Sequence, residues 1–169
     1  MLIRDAGPHD ATAIARVYNQ GIEDRVATLE TQLRSAEERA AWLAARGPRH
    51  PVLVALDNEQ GTLLGWASLN SFNPRPAYDH VADLSVYVAR EQRGRGVGET
   101  LLGALEARAR ELGYHKLVLA AFPTNGRDMR LYERRGFRTV GIYHEQGWLD
   151  DHWVDVIVME KILADEPPG

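Results

Sequence analysis

Between residues 93 and 98 the chain reads Arg-Gly-Arg-Gly-Val-Gly, and an amphipathic helix follows at once. Val97, Leu101, Leu102, Leu105, Ala109 and Leu112 keep helical spacing, and Gly113 is a natural stop. Ahead of the turn, Val81 to Val88 alternates as a strand: Asp83, Ser85 and Tyr87 share one face, and Leu84, Val86 and Val88 share the other. Strand, glycine turn and helix in direct succession make a unit of an α/β arrangement. Glycines there let successive backbone N–H groups converge, and the helix dipole adds positive potential at the same point. Arg93 and Arg95 contribute two fixed charges. The turn suits a diphosphate- or triphosphate-like anion; the plain alternative is a tight connection carrying surface arginines.

Two familiar phosphate turns do not fit. A dinucleotide fingerprint counted from Gly94 puts Glu99 where its last glycine or alanine belongs. The next strand ends Leu119-Ala120-Ala121-Phe122, with no acidic residue to take a ribose. A P-loop needs Gly-Lys-Ser/Thr, whereas Gly98 is followed by Glu99-Thr100.

The remaining elements follow from periodicity and punctuation. Ile14, Val17, Tyr18 and Ile22 form one helical stripe from about Asp10. After a polar stretch from Glu23 to Arg34, Ser35-Ala36-Glu37-Glu38 is a capping box that opens a second helix ending near Gly47-Pro48. Val52 to Leu56 and Leu63 to Leu69 read as a hairpin around Asp57–Gly61, and Asn73-Pro74-Arg75-Pro76 as a loop. Lys116 to Phe122 is a buried strand, and Asn125 to Arg135 a helix closed by Gly136. Arg138 to Tyr143 and Trp153 to Glu160 are two paired strands. The order is β-α-α-β-β-β-α-β-α-β-β, an α/β arrangement with a mixed sheet. At 169 residues this is one expected domain over 1–164, with 165–169 as a disordered tail.

Composition narrows the classes. The longest apolar run, Leu117 to Phe122, is six residues, far below the ~20 of a membrane helix. Met1-Leu2-Ile3-Arg4-Asp5 has no apolar signal core, so a cytoplasmic protein off the membrane is expected. With no cysteine there is no disulfide, thiolate site or cysteine nucleophile. A net charge of −4 speaks against a nucleic-acid partner. His144 and His152 flank Asp150 and Asp151, but a polar hairpin loop is the better reading than a zinc site, so no metal is expected.

The segment from Leu84-Ser85-Val86-Tyr87-Val88 through Arg93–Gly98 to Leu101-Leu102 resembles the acetyl-CoA motif of the GNAT N-acetyltransferase family. The family pattern Gln/Arg-x-x-Gly-x-Gly/Ala is met by Arg93, Gly96 and Gly98. Asn125, Leu131-Tyr132-Glu133 and Gly136-Phe137 resemble its distal block. Ile3-Arg4-Asp5-Ala6, Val17-Tyr18-Asn19, Ala27-Thr28-Leu29-Glu30, Arg75-Pro76-Ala77-Tyr78 and Gly147-Trp148 to Trp153-Val154-Asp155-Val156 are similar to the phosphinothricin, arsinothricin and methionine sulfoximine acetyltransferase branch. Gly21 to Thr28 looks especially like the arsinothricin group, and the similarity runs from Ile3 to about Leu163.

The resemblance implies a single-domain GNAT fold, a mixed, mostly antiparallel twisted sheet flanked by helices. It implies acetyl-CoA held by the main chain of Val86, Tyr87 and Val88, by Arg93, Gly94, Arg95, Gly96, Val97 and Gly98, and by Asn125. Asp83 stands where relatives carry a glutamate base; one methylene shorter, it would work through a bridging water, unless it simply pairs with an arginine. Tyr132 is either the acid that protonates the leaving thiolate or a packing residue, and Asn125 is also a natural N-cap. Glu30, Arg75 and Tyr78 are the implied acceptor residues, an arginine fork suiting an oxyanion. Asn73 and Asp79 replace common arginines there, with one positive group lost and one negative group gained.

The expected activity is therefore transfer of acetyl from acetyl-CoA to the free amine of a small glutamate-like amino-acid analogue, directly in a ternary complex. The rivals are acetylation of a peptide N-terminus or polyamine, and a non-catalytic acetyl-CoA sensor. A homodimer is expected, with Trp148 and Trp153 lining either the substrate pocket or the partner subunit.

Overall fold

The computed structural model describes residues 1–163; the 165–169 tail lies outside the described residues. In chain order the elements are β1 (Leu2–Asp5), α1 (Ala11–Glu23), α2 (Ala36–Ala44), β2 (Val52–Leu56), β3 (Leu63–Ser71), β4 (Val81–Val88), α3 (Val97–Glu111), β5 (Lys116–Ala121), α4 (Gly126–Arg134), β6 (Arg138–Leu149) and β7 (His152–Ile162). The order of strands and helices is the one expected. The seven strands form one mixed sheet in the order β1-β2-β3-β4-β5-β7-β6.

Alternation along the strands divides the core between the two faces of the sheet. On one face Val52, Val54, Leu56 and Trp66 pack with Ile14 and Val17 of α1, and with Trp42 and Leu43 of α2. On the other, Leu53, Ala55, Ala67, Leu69, Leu84, Leu117 and Leu119 meet the stripe Val97, Leu101, Leu102, Leu105 and Ala109 of α3 and Leu131 of α4. Ser35 Oγ accepts the Glu38 N–H at 3.1 Å, so α2 begins at the capping box.

The site is positioned by one irregularity in the ladder. β4 and β5 are parallel, and they pair only at Val81–Lys116, Ala82–Leu117 and Asp83–Val118. Beyond Asp83 the strands part, which leaves the β5-facing edge of β4 from Leu84 to Val88 without a strand partner among the described residues.

The end of the chain differs from the sequence expectation. The polar run after Tyr143 is strand, not loop: β6 continues to Leu149 and pairs Gly147 with Val154 and Trp148 with Trp153. Two register shifts, at Thr139/Gly141 and Tyr143/Gly147, take up the residues that break the alternation. The hairpin turns at Asp150 and Asp151, both at positive φ (49° and 62°), a conformation aspartate tolerates.

Candidate active site

A cleft of about 740 Å³ opens where β4 and β5 part. Its walls are Val86, Tyr87 and Val88 of β4, the glycine turn through Arg93, Gly94, Gly96 and Gly98, the start and inner face of α4, and Val26 and Ala27 beyond α1. Gly94 and Gly96 sit at φ 76° and 85°, where a side chain would be strained. Gly96 caps α3 without a side chain, so the first amides of that helix are left for a ligand. A Cβ on Gly98 would come within 3.2 Å of Leu131 Cδ2 and 3.5 Å of Val88 Cγ2, so glycine keeps α3, α4 and β4 close together here. These amides, the free strand edge and the surrounding arginines fit a nucleotide-diphosphate carrier with an extended amide-bearing arm, which is the make-up of acetyl-CoA.

Not every residue of the turn faces the cleft. Val97 is 2% exposed and belongs to the core, and Arg95 is exposed and does not line the cleft. The Arg93 guanidinium lines it and meets Asp24 at 2.7 Å. That aspartate is held below the usual carboxylate range first by Arg90, then by Arg93.

Asp83 occupies the last paired position before the strands part, three residues ahead of Val86, and is not itself among the residues that line the cleft. It has no arginine partner among the described residues; the Asn70 amide donates to its Oδ2 at 3.3 Å from the neighbouring strand. Burial pushes its pKa up to about 6, with the Asn70 hydrogen bond pulling the other way. Tyr132 lines the cleft from α4, packs edge-on to Phe137 at 5.9 Å, and has no hydrogen-bond partner for its hydroxyl among the described residues. Burial drives its pKa well above the ordinary tyrosine value, and the nearby Asp128, Tyr87 and Asp83 add to that. Asn125 does cap α4, its Oδ1 accepting the Asp128 N–H at 3.2 Å, and it lines the cleft as well.

The three implied acceptor residues lie outside these walls. Both Glu30 oxygens are engaged, Oε1 by the N–H groups of Thr31 and Gln32 at 3.0 Å and Oε2 by Arg34. Arg75 and Tyr78 belong to an exposed turn, where Tyr78 packs on Phe72 at 5.4 Å and Asn73 Oδ1 accepts the Arg75 N–H at 3.0 Å. His144 and His152 turn to Asp155 and to the Asp150 carbonyl.

Residues 14–137 match the model of the acetyltransferase (GNAT) family. The chain belongs to this family. This GNAT enzyme is 35% identical over 162 residues to the L-methionine sulfoximine/L-methionine sulfone acetyltransferase of Pseudomonas paraeruginosa, covering 95% of this chain and 94% of that protein. It is similar to the crystal structure of a GNAT superfamily phosphinothricin acetyltransferase from Sinorhizobium meliloti in complex with acetyl-CoA, with a TM-score of 0.93, 29% identity, and coverage of 99% and 92%. It is also similar to a ribosomal-protein-alanine N-acetyltransferase from Brucella melitensis, with a TM-score of 0.90, 36% identity, and coverage of 96% and 99%.

Several residues of the GNAT cleft escaped the sequence reading. Arg127, Arg130 and Arg134 of α4 all line it, and the Arg127 guanidinium lies 3.7 Å from where a Cβ on Gly94 would be. Their spacing puts three positive charges on one helix face, a pattern legible in the sequence. Asp128 lines it too; burial raises its pKa to about 6 against the pull of Arg93 and Arg127.

Proposed function

We propose that this GNAT enzyme transfers acetyl from acetyl-CoA to the free amine of a small glutamate-like amino-acid analogue of the phosphinothricin or arsinothricin type, by direct attack in a ternary complex. The observation that carries the reading is the juxtaposition at Asp83: a carboxylate with a proton affinity near neutrality stands where the free edge of β4 begins. The acceptor class is supported by relatives named for methionine sulfoximine and phosphinothricin.

Acetyl-CoA supplies the acyl group already activated as a thioester. The turn and the α3 N-terminus hold its phosphates, and the main chain of Val86 to Val88 hydrogen-bonds its arm. Asp83, ionised above pH 6, takes a proton from the acceptor ammonium through a water, because the aspartate is short. Tyr132 keeps its proton at neutral pH and gives it to the departing sulfur. With no cysteine in the chain, no acetyl-cysteine forms on the way. Arg75, Tyr78 and Glu30 are the proposed acceptor residues, with the Arg75 fork and the Tyr78 hydroxyl for its anionic end. The same reading places the enzyme in the cytoplasm as a homodimer joined through the edge strand β6, whose Val140, Ile142, Tyr143 and Trp148 are exposed.

The test is thiol release from acetyl-CoA by the purified protein with phosphinothricin, arsinothricin and methionine sulfoximine beside glutamate, a peptide and spermidine. Release with the first group alone is expected. A second reading, acetylation of a peptide N-terminus, is favoured by the likeness to the ribosomal-protein-alanine enzyme, and release with the peptide alone would select it. No release with any acceptor, despite tight coenzyme A binding, would leave a non-catalytic sensor.

A further inference from the structure

The face of β4 that carries the base is paired residue for residue with β3: Tyr87 with Trp66, Ser85 with Ser68 and Asp83 with Asn70. Tyr87 and Trp66 stack at 4.8 Å, so the ladder passes from an aromatic pair through two hydroxyls to an amide and a carboxylate. Asn70 is the hub of the polar end. Its Oδ1 accepts from the Arg46 guanidinium at 2.9 Å and from the Ser68 hydroxyl at 3.0 Å. Its Nδ2 donates to Asp83 Oδ2 at 3.3 Å and to Ser85 Oγ at 3.2 Å.

The direction of this amide is dictated, because arginine has donors and no acceptor. The Asn70 oxygen must face Arg46, and the N–H groups must then face Asp83. Arg46 is itself fixed on backbone, donating to the carbonyls of His50 at 2.9 Å and of Leu69. We infer that Asn70 is the positioning residue of the base: clamped by Arg46 and Ser68, it turns one Asp83 oxygen toward β3 and leaves the other for the acceptor's proton. The inference rests on Asp83 acting as the base. A carboxylate one methylene short of glutamate has less reach, so a fixed orientation matters more to it.

The donated hydrogen bond also favours the ionised carboxylate against burial. The other titratable and charged groups around Asp83 are few. Tyr87 shares its strand and Tyr132 approaches from α4. Glu160 lies beyond Val118, neutralised by Lys116 and Arg138. His80 and His115 lie at the Val81 end, their rings tilted and 5.9 Å apart. None of these donates a hydrogen bond to Asp83 in the place of Asn70.

The experiment follows the Asp83 carboxyl by carbon-13 NMR titration in the full chain, and the pH profile of kcat/KM with phosphinothricin. Asn70→Ala should move the Asp83 midpoint and the acid limb of the profile upward together, by about one pH unit. Arg46→Met, which frees the amide to flip, should move both in the same direction by less. Asn70→Leu, closer in volume, serves if the alanine variant folds poorly. A fall in Tm with the midpoint unmoved would make Asn70 a structural residue and overturn the inference. If Asp83→Asn keeps full activity, the base assignment fails instead, whatever the titration of the Asn70 variants gives.

Discussion

Asn125 holds the Val26 carbonyl at 3.1 Å, across 99 residues of chain, while its other amide end caps α4. One side chain thus joins the segment that leaves α1 to the helix on the far wall of the cleft. The same segment is fastened twice more. Asp24 meets Arg93 on the glycine turn, and Arg25 reaches Asp150 in the β6–β7 turn at 3.1 Å. Cofactor wall, strap and hairpin form one mechanical unit, so a change at Asn125 is felt in both binding and stability.

Asn125→Ala removes the cap and the strap together. Loss of an N-cap costs about 1 kcal/mol, readable as a lower denaturation midpoint. The KM for acetyl-CoA should rise, because Val26 and Ala27 line the cleft. Asn125→Ser, which keeps a capping oxygen, is too short to reach the Val26 carbonyl and sets no second carboxylate against Asp128 Oδ2 (3.0 Å from Asn125 Nδ2), should recover the stability and not the KM.

Asp83→Asn separates function from stability. If Asp83 is the base proposed above, its loss should lower kcat about 10²–10⁴-fold with acetyl-CoA binding intact. The folded protein holds the Asp83 proton more tightly than the unfolded chain, with a folded pKa of about 6 against about 3.9 unfolded. The unfolded state therefore binds fewer protons between those values, and stability from this group falls as pH rises through that window. Above pH 7 the full cost, on the order of 3 kcal/mol, is present in the wild type and absent in the variant. Thermal melts should show Asp83→Asn more stable than wild type at pH 7.5 and equal to it at pH 4.

Glu106 carries the opposite kind of charge burial. Its side chain is 1% exposed, and it binds Arg135 at 2.6 Å and Lys161 at 3.2 Å, tying α3 to the end of α4 and to β7. Glu106→Ala leaves two cations around an emptied site and should cost about 3 kcal/mol of stability. It does not line the cleft, so kcat at a temperature where the variant is folded should be unchanged.

What the sequence made legible were features that depend on local spacing. The stripe from Val97 to Leu112 and the alternation from Val81 to Val88 placed the turn between them, and the Ser35 capping box placed α2. Features set by register were hidden. Asn70 has meaning only opposite Asp83, and Arg46 only once the chain after α2 lies against the end of β3. The β6–β7 hairpin runs beyond what periodicity predicts, because Gly141, Gly147 and the charged run between them lack strand alternation and pairing with β7 supplies the order instead. Arg127, Arg130 and Arg134 were visible as a helical set, yet which way that face points is decided by where β4 and β5 part.

Gly96→Ala tests the turn without touching its charges. At φ 85° an alanine is strained by about 1–2 kcal/mol, although nothing lies within 4 Å of the new Cβ. The turn can relieve that strain only by rotating the amides at the start of α3. Isothermal titration should therefore show weaker coenzyme A binding, with a Tm lower by a few degrees. Gly61→Ala, also at positive φ but far from the cleft, should leave coenzyme A affinity where it was.

The edge of the sheet supplies the last prediction. β6 pairs on one side only, with β7, and an unpaired strand rich in apolar side chains recruits a partner unless it is blunted. Val140 is 55% exposed and Trp148 57%, and Trp148 stacks edge-on to an equally exposed Trp153 at 4.9 Å. Burying such a surface against a second copy removes several large side chains from water, each worth about 1.5–3 kcal/mol if fully covered. Sedimentation equilibrium at micromolar concentration should give twice the 18.9 kDa chain mass. Ile142→Glu, placing a charge on that edge, should halve it. Because the Trp148 hairpin is also tied to Arg25 through Asp150, the monomeric variant should lose affinity for acceptor or cofactor as well as mass. A wild type that sediments as a single chain would remove β6 as the dimer edge, and the exposed tryptophans would then belong to the acceptor pocket.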